Sequence, residues 1–178
     1  MDIHRITPGL SVAPQISPAD VGLAASQGFR SIVNNRPAGE SEDQPSAEAI
    51  REAAQAHGLD YRDLPVVSGQ VTDADAAAFS QALGEMKGPV LAFCRTGTRS
   101  ATLWALASAP LLSVEAILDA TKAAGYDLSA LRGRLEKLEG AVAPAAGSFQ
   151  PQVAYEVVIV GGGAGGIAAA ASLLKRQP

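Results

Sequence analysis

A single cysteine stands in a short polar stretch that could carry out nucleophilic chemistry. Cys94 comes directly after the apolar run 90–93, and it is followed by Arg95, Thr96, Gly97, Thr98, Arg99 and Ser100. A glycine in this turn lets backbone N–H groups point inward, and a helix that begins just after the turn adds partial positive charge. The hydroxyls and the planar guanidinium groups complete the donor set of an anion-binding loop.

The same surroundings suit Cys94 as a nucleophile. Only the thiolate form of a cysteine attacks, and helix dipoles and nearby guanidinium groups stabilise that form. A lone cysteine is more often a small buried apolar residue, but that alternative does not explain a glycine turn between two arginines. We therefore predict that Cys94 and Arg99 are catalytic. The anion-binding residues are predicted to be Arg95, Thr96, Gly97, Thr98 and Ser100.

Alternating strand and helix signals place this loop in an α/β domain over residues 1–140. Two short strands come first, joined at Thr7-Pro8-Gly9, where a Pro-Gly pair suits a type II turn. Further strands are predicted at 29–33, 59–66 and 90–93. Helices are predicted at 17–28, 46–57, 72–88, 100–107, 113–124 and 127–138. The wholly apolar strand 90–93 is typical of the centre of a mostly parallel sheet that helices cover on both faces.

One further residue could reach the same pocket. Arg36 follows the predicted strand 29–33, and sites in α/β domains form beyond the carboxyl ends of the strands. The alternative is that Arg36 pairs with a carboxylate of its own loop, which contains Glu40, Glu42 and Asp43.

Residues 1–140 also resemble a known family. The resemblance rests on the Pro-Gly hairpin, on Ile-Val-Asn-Asn-Arg-Pro at 32–37, on Tyr-Arg-Asp-Leu-Pro-Val at 61–66, and on the Cys94 loop. These stretches are similar to the phosphatase-like domain of the beta-lactamase-hydrolase-like protein family. That domain is similar in fold to dual-specificity protein tyrosine phosphatases, so the resemblance implies a cysteine-phosphatase-like architecture.

Two departures from the phosphatase pattern affect the expected activity. Phosphatases of this kind have a histidine before the cysteine and an arginine six residues after it, whereas Phe93 precedes Cys94 and Arg99 follows it by five. A general-acid aspartate is also expected soon after the strand 59–66, where positions 67–69 are Val-Ser-Gly. A serine cannot protonate a leaving group in that role.

The shorter loop instead resembles the active loop of rhodanese sulfurtransferases, in which the cysteine carries sulfur as a persulfide. That chemistry needs a thiolate, amides and arginines, but no leaving-group acid. We therefore predict a sulfurtransferase that passes sulfane sulfur through Cys94. One alternative is a phosphomonoester hydrolase that uses Cys94 and Arg99, with the acid absent or supplied by Asp73. The other is a non-enzymatic module of a fused oxidoreductase that senses anions or redox state.

The last segment carries a second motif. The sequence predicts a linker at 141–154 and a truncated dinucleotide-binding βα unit at 155–178. Gly161, Gly163 and Gly166 follow an apolar strand in the G-x-G-x-x-G pattern that lets a pyrophosphate approach a helix N-terminus. This motif resembles the opening of flavin-dependent pyridine-nucleotide-disulfide oxidoreductases. One βα unit cannot enclose a dinucleotide, so we expect no cofactor in this chain and FAD only in a longer fusion.

Composition narrows the classes of partner. The net charge of -4 and the pI near 5.1 argue against a nucleic-acid surface, and no apolar stretch reaches the roughly 18 residues of a membrane span. One cysteine and no signal-peptide pattern favour the cytoplasm. Neither of the two histidines has ligand spacing to Cys94, so no metal site is predicted. The expected partner is a small sulfur or phosphate oxyanion.

Overall fold

Five short strands form one sheet in the computed structural model, which describes residues 1–140. The strands are β1 (His4–Thr7), β2 (Leu10–Ala13), β3 (Ser31–Asn34), β4 (Asp60–Asp63) and β5 (Val90–Phe93). Their order across the sheet is β1-β2-β5-β3-β4. Only β1 is antiparallel to its neighbour, and β5 lies at the centre between β2 and β3. The predicted mostly parallel α/β sheet is therefore confirmed.

Six helices cover the sheet. They are α1 (Pro18–Ser26), α2 (Ala47–Ala56), α3 (Asp73–Glu85), α4 (Thr98–Ser108), α5 (Val114–Ala123) and α6 (Arg132–Leu138). Four of them begin after a serine or threonine whose hydroxyl accepts a hydrogen bond from a backbone N–H of the first turn. These four caps, Ser17, Ser46, Thr72 and Ser113, mark helix starts that the sequence signals directly.

The central strand β5 separates two apolar clusters. Leu91 and Phe93 pack with residues of α1 and α2 on one face of the sheet, whereas Val90 and Ala92 belong to the larger cluster on the other face. Side chains alternate between the faces of a strand, so an uninterrupted apolar run is what a strand buried on both sides requires. This packing fixes the carboxyl end of β5, where Cys94 follows.

Local structure departs from the prediction at two places. Gly9 in the β1–β2 turn does not have a positive φ, as a type II turn requires, and the Thr7 hydroxyl instead accepts hydrogen bonds from the N–H groups of Gly9 and Leu10. The predicted helix 127–138 is divided into a 3₁₀ turn, Ser129–Leu131, and α6. The Asp127 carboxylate accepts from the Ser129 N–H, and this local hydrogen bond competes with a regular helical start.

The predicted linker 141–154 and the motif with Gly161, Gly163 and Gly166 lie outside the described residues. Within residues 1–140, no helix combines the length and the apolar character needed to cross a membrane.

Candidate active site

The loop that carries Cys94 links the centre of the sheet to α4. The strand β5 ends at Phe93 and α4 begins at Thr98, so the loop lies beyond the carboxyl edge of the sheet. The Cys94 side chain is 1% exposed, and it lines a cavity of about 670 Å³. A thiol in this position is shielded from bulk water but can be reached from the cavity.

Gly97 completes the turn around the sulfur. Its backbone has φ +85°, a conformation that favours glycine, and its N–H donates to Cys94 Sγ at 3.1 Å. A hydrogen bond from a backbone amide stabilises the thiolate over the thiol. A Cβ at this position would overlap the Tyr126 hydroxyl and lie 2.8 Å from its Cζ. Both the backbone angle and the close approach of Tyr126 therefore require glycine.

Tyr126 supports the loop from the segment between α5 and the 3₁₀ turn. Its hydroxyl donates to the carbonyl oxygen of Thr96 at 3.4 Å. Burial, followed by the negative charges of Cys94 and Asp2, raises the pKa of Tyr126 to about 12. The phenol therefore keeps its proton at neutral pH and remains a donor. No local pattern predicts this contact, because Tyr126 is 30 residues from Thr96.

Arg99 lies beside the loop on the first turn of α4. Its side chain is buried, Nη1 donates to the Asn35 carbonyl at 3.1 Å, and Nη2 contacts the Glu40 carboxylate at 2.8 Å. Its Nε is buried and has no hydrogen-bond partner among residues 1–140. A buried charged donor without a partner is costly, so Arg99 Nε is a donor that residues 1–140 leave unsatisfied beside the Cys94 loop.

Glu40 joins the two buried arginines. Its second oxygen accepts from Arg36 Nε at 3.0 Å, and Arg36 also donates to Gln15 and Ser41. Arg36 is 5% exposed and is not among the residues that line the cavity. It therefore contributes to the site by holding Glu40, which is the loop pairing that the sequence left open as the alternative.

Ser100 and Asn35 form a second buried network. The Ser100 hydroxyl donates to the Asn35 side-chain oxygen at 2.8 Å, and both residues are fully buried. The Ser100 side chain is therefore directed to Asn35 and does not line the cavity, unlike the predicted anion ligands Arg95, Thr96 and Thr98. Asn35 also donates from its side chain to the Leu64 carbonyl and from its backbone to the Phe93 carbonyl. The sequence did not single out Asn35 as part of the site.

The cavity is lined on two sides by residues from different parts of the chain. We call the loop Cys94–Arg99 the floor. We call the facing residues the wall: Ser68, Gly69, Val71, Leu131 and Arg134. Arg134 of α6 donates through Nη1 to the Val71 carbonyl at 2.7 Å and through Nη2 to Asp73. This arginine brings α6 to the segment that precedes α3.

No residue of the cavity is placed as a free acid. Glu40 is the only carboxylate among the lining residues, and it is shared between Arg36 and Arg99. Asp73, which the hydrolase alternative considered as an acid, pairs with Arg134 and does not line the cavity. Ser68 occupies the wall where the phosphatase pattern has its aspartate. Residues 1–140 contain no group of three potential metal ligands.

The family follows from comparison with known proteins. The family model for the phosphatase-like domain of beta-lactamase hydrolase-like proteins matches residues 2–111, which extend from β1 through α4 and include the whole floor. The chain belongs to this family. The resemblance seen in the sequence is thereby confirmed for the cysteine-loop domain.

Relatives within the family are longer than this chain. A beta-lactamase hydrolase-like protein of Agrobacterium fabrum is 39% identical over 154 residues, which cover 85% of this chain and 36% of the relative. Another, from Xylella fastidiosa, is 39% identical over 106 residues, or 60% of this chain and 25% of the relative. The chain thus spans between a quarter and just over a third of the curated relatives it matches.

Solved structures place the beta-lactamase hydrolase-like domain among cysteine phosphatases in fold. A candidate phosphatase from Neisseria meningitidis is 33% identical, with a TM-score of 0.72 over 78% of this chain and 99% of that one. Tk-PTP is 16% identical with a TM-score of 0.61, over 79% of this chain and 95% of that one, which shows a shared fold. The predicted cysteine-phosphatase-like fold is confirmed, and these neighbours fit the hydrolase alternative better than sulfur transfer.

Proposed function

We propose that this domain is a phosphomonoester hydrolase that uses Cys94 as nucleophile and Arg99 as phosphate clamp. The observation that carries the proposal is the buried Nε of Arg99, which lacks a partner in the described chain and lies in the same loop as the amide-stabilised sulfur. A phosphate oxygen is the acceptor that such a donor needs. Family membership and the phosphatase neighbours support this alternative over the sulfurtransferase prediction.

The reaction would proceed through a phosphocysteine. The Cys94 thiolate attacks phosphorus, the S–P bond forms, and the P–O bond to the leaving group breaks with its electron pair on oxygen. Water then attacks phosphorus, the S–P bond breaks, and the thiolate and inorganic phosphate are released. In both steps negative charge spreads over the phosphoryl oxygens, where loop amides and Arg99 stabilise it.

The shorter loop still offers a clamp. Arg99 follows Cys94 by five residues, but its guanidinium does not depend on loop length for its orientation, because Asn35 and Glu40 hold two of its nitrogens. Thr96 and Thr98 line the cavity beside it and supply hydroxyl donors. These contacts support a preorganised site in which little must move when phosphate binds.

The test is Cys94→Ser, assayed with p-nitrophenyl phosphate. We expect hydrolysis to fall by at least about a thousandfold, since removal of a nucleophile has effects of this size or larger. Ser26→Ala, at the exposed end of α1, is the control and is expected to retain full activity. Thermal unfolding of each variant checks that the fold is intact.

Two outcomes would contradict the proposal. Hydrolysis that survives in Cys94→Ser would exclude the nucleophile. Transfer of sulfur from thiosulfate to cyanide that requires Cys94, in a protein that does not hydrolyse aryl phosphate, would restore the rhodanese-like prediction. If the chain catalyses neither reaction, the sensing alternative is favoured.

A further inference from the structure

The cavity is larger than its catalytic loop requires. Its volume of about 670 Å³ falls in the range of sites that enclose whole small molecules. The cavity extends from Cys94 on the floor to Leu131 and Arg134 on the wall. A substrate therefore has room for a second group beyond the phosphoryl group that reacts.

The cavity as a whole is positively charged. Its lining contains three arginines, Arg95, Arg99 and Arg134, against one carboxylate, Glu40. Arg95 is exposed, and its guanidinium has no hydrogen-bond or ion-pair partner in residues 1–140. Since Glu40 is already shared by two buried arginines, it does not neutralise Arg95. Asp43 is close enough for the Arg95 charge to lower its pKa, but it makes no direct ion pair with Arg95 and does not line the cavity. Within residues 1–140 the Arg95 guanidinium therefore keeps its donors available to a ligand.

Arg134 is held in place while retaining donors. Val71 and Asp73 each accept one of its hydrogen bonds. A guanidinium has five N–H donors, so about three remain for a ligand. Asp73 compensates part of the charge, but it lies outside the cavity lining, and its hydrogen bond orients the guanidinium. An anion opposite Cys94 would find preoriented donors on the wall.

The cavity also offers no proton for a leaving group. Ser68 stands where an acid would be expected, Asp73 is paired outside the lining, and no histidine lines the cavity in the described chain. An alkoxide cannot leave efficiently without a proton donor. A leaving group that is stable as an anion needs no donor.

We propose that the substrate is a phosphoric anhydride, in which the transferred phosphoryl group is bonded to a second phosphate that Arg95 and Arg134 bind. The inference rests on the hydrolase function proposed above and names the substrate class of that site. A phosphate group has its second pKa near about 6, so it departs as a stable anion at neutral pH. One chemical class thus accounts for the cavity volume, the two further arginines in its lining and the missing acid.

The reaction needs no reactant other than water. Cys94 Sγ bonds to the terminal phosphorus, and the bridging P–O bond breaks with its electrons on the leaving phosphate. Arg95 and Arg134 compensate the charge of that phosphate. Water then cleaves the S–P bond, and its proton passes to the phosphate product or to solvent.

The experiment compares inorganic tripolyphosphate, p-nitrophenyl phosphate and phenyl phosphate as substrates of the full chain. We expect tripolyphosphate and p-nitrophenyl phosphate to be hydrolysed, and phenyl phosphate to react at least about a hundredfold more slowly, because its leaving group lacks an acid. Arg95→Gln and Arg134→Gln should each reduce kcat/KM for tripolyphosphate by about tenfold or more, and reduce it much less for p-nitrophenyl phosphate.

Arg132→Gln is the matched control for Arg134→Gln. Arg132 is on the same helix but pairs with Glu115 at the surface and does not line the cavity, so the ratio of the two substrates should not change. Arg95→Gln keeps the test valid if Arg134→Gln fails to fold, because the Arg95 side chain is exposed.

The outcomes separate this inference from the function on which it rests. Cys94-dependent hydrolysis of p-nitrophenyl phosphate without cleavage of tripolyphosphate would overturn the anhydride substrate and leave the hydrolase intact. Equal losses for both substrates in the arginine variants would also overturn it. If no phosphate substrate is hydrolysed in a Cys94-dependent way, the hydrolase function itself fails.

Discussion

The floor of the cavity holds its two reactive residues in buried contacts, whereas the residues of the wall facing it are half-buried or exposed. On the floor, Cys94 and Arg99 are less than a tenth exposed. The Gly97 amide holds the Cys94 sulfur, and partners distant in sequence hold Arg99. On the wall, Ser68 and Gly69 are exposed, and their segment contains a single turn hydrogen bond from Gln70 to Val67. The half that would attack phosphorus is thus preorganised, while the half that would receive the leaving group relies on charge.

This difference indicates that the floor and the wall have different roles in the proposed reaction. Transition-state charge is best stabilised by donors that do not have to reorganise, and burial of the floor provides that condition. Selection among leaving groups depends on complementary charge and on the space available, which an exposed wall can provide. Substitutions on the floor should therefore cost stability, and equivalent substitutions on the wall should not.

The largest difference in stability between the floor and the wall is expected for substitutions of two glycines that both have positive φ. Gly97→Ala combines an unfavourable backbone angle with overlap of Tyr126, and we expect it to lower the free energy of unfolding by about 3 to 4 kcal/mol. Gly69 on the wall has φ +76° and nothing within 4 Å of an added Cβ, so Gly69→Ala should cost only about 1 kcal/mol. Urea unfolding measures both values, and equal losses would show that Tyr126 does not constrain the floor.

A smaller contrast is expected between two carboxylates. Glu40→Gln leaves Arg36 and Arg99 without their shared anion, and it should lower the free energy of unfolding by about 2 to 3 kcal/mol, since Glu40 is largely buried. Glu85→Gln removes an exposed pair with Arg62 and should leave the free energy of unfolding almost unchanged. The same unfolding assay applies. A Glu40 variant as stable as the Glu85 variant would mean that the buried pairs do not hold the floor.

The smallest expected effect is a decrease in the free energy of unfolding at high pH. Because the pKa of Tyr126 is raised, its phenol loses the proton near pH 10 in the unfolded chain and at about pH 12 in the folded chain. Stability is therefore unaffected below pH 10 and declines between pH 10 and 12, by about 1 to 2 kcal/mol from this residue. Tyr126→Phe should flatten that decline. Tyr61, whose pKa burial also raises, remains in both proteins, so an unchanged slope would assign the whole effect to other groups.

Local sequence signals predicted the frame of the floor. The caps at Ser17 and Thr72 depend on neighbouring residues alone, and both form capping boxes in the structure. The apolar strand before Cys94 and the glycine after it likewise determine a strand, a turn and a helix in order. These features were predictable because the interactions that produce them span only a few residues.

The wall and the supports of the floor were not predictable in this way. Tyr126 reaches the Cys94 loop, and Arg134 reaches the cavity, only because α5 and α6 pack against α4 and β1. No spacing in the sequence encodes those contacts. Ser100 has a residue type suited to anion binding, but its side chain is directed to Asn35. The five-residue spacing between Cys94 and Arg99 led to the sulfurtransferase prediction, whereas the matched stretch 2–111 as a whole favours phosphatase chemistry.

Asn35 links the two sides of the cavity through hydrogen bonds. Its backbone and side chain take part in five hydrogen bonds, with Phe93, Arg99 and Ser100 on the floor side and with Leu64 and Val66 at the base of the wall. Local opening of either side would have to break several of these bonds together. The strand end, the clamp arginine and the segment that leads to the wall are therefore linked through one buried residue, and loosening of one is expected to affect the others.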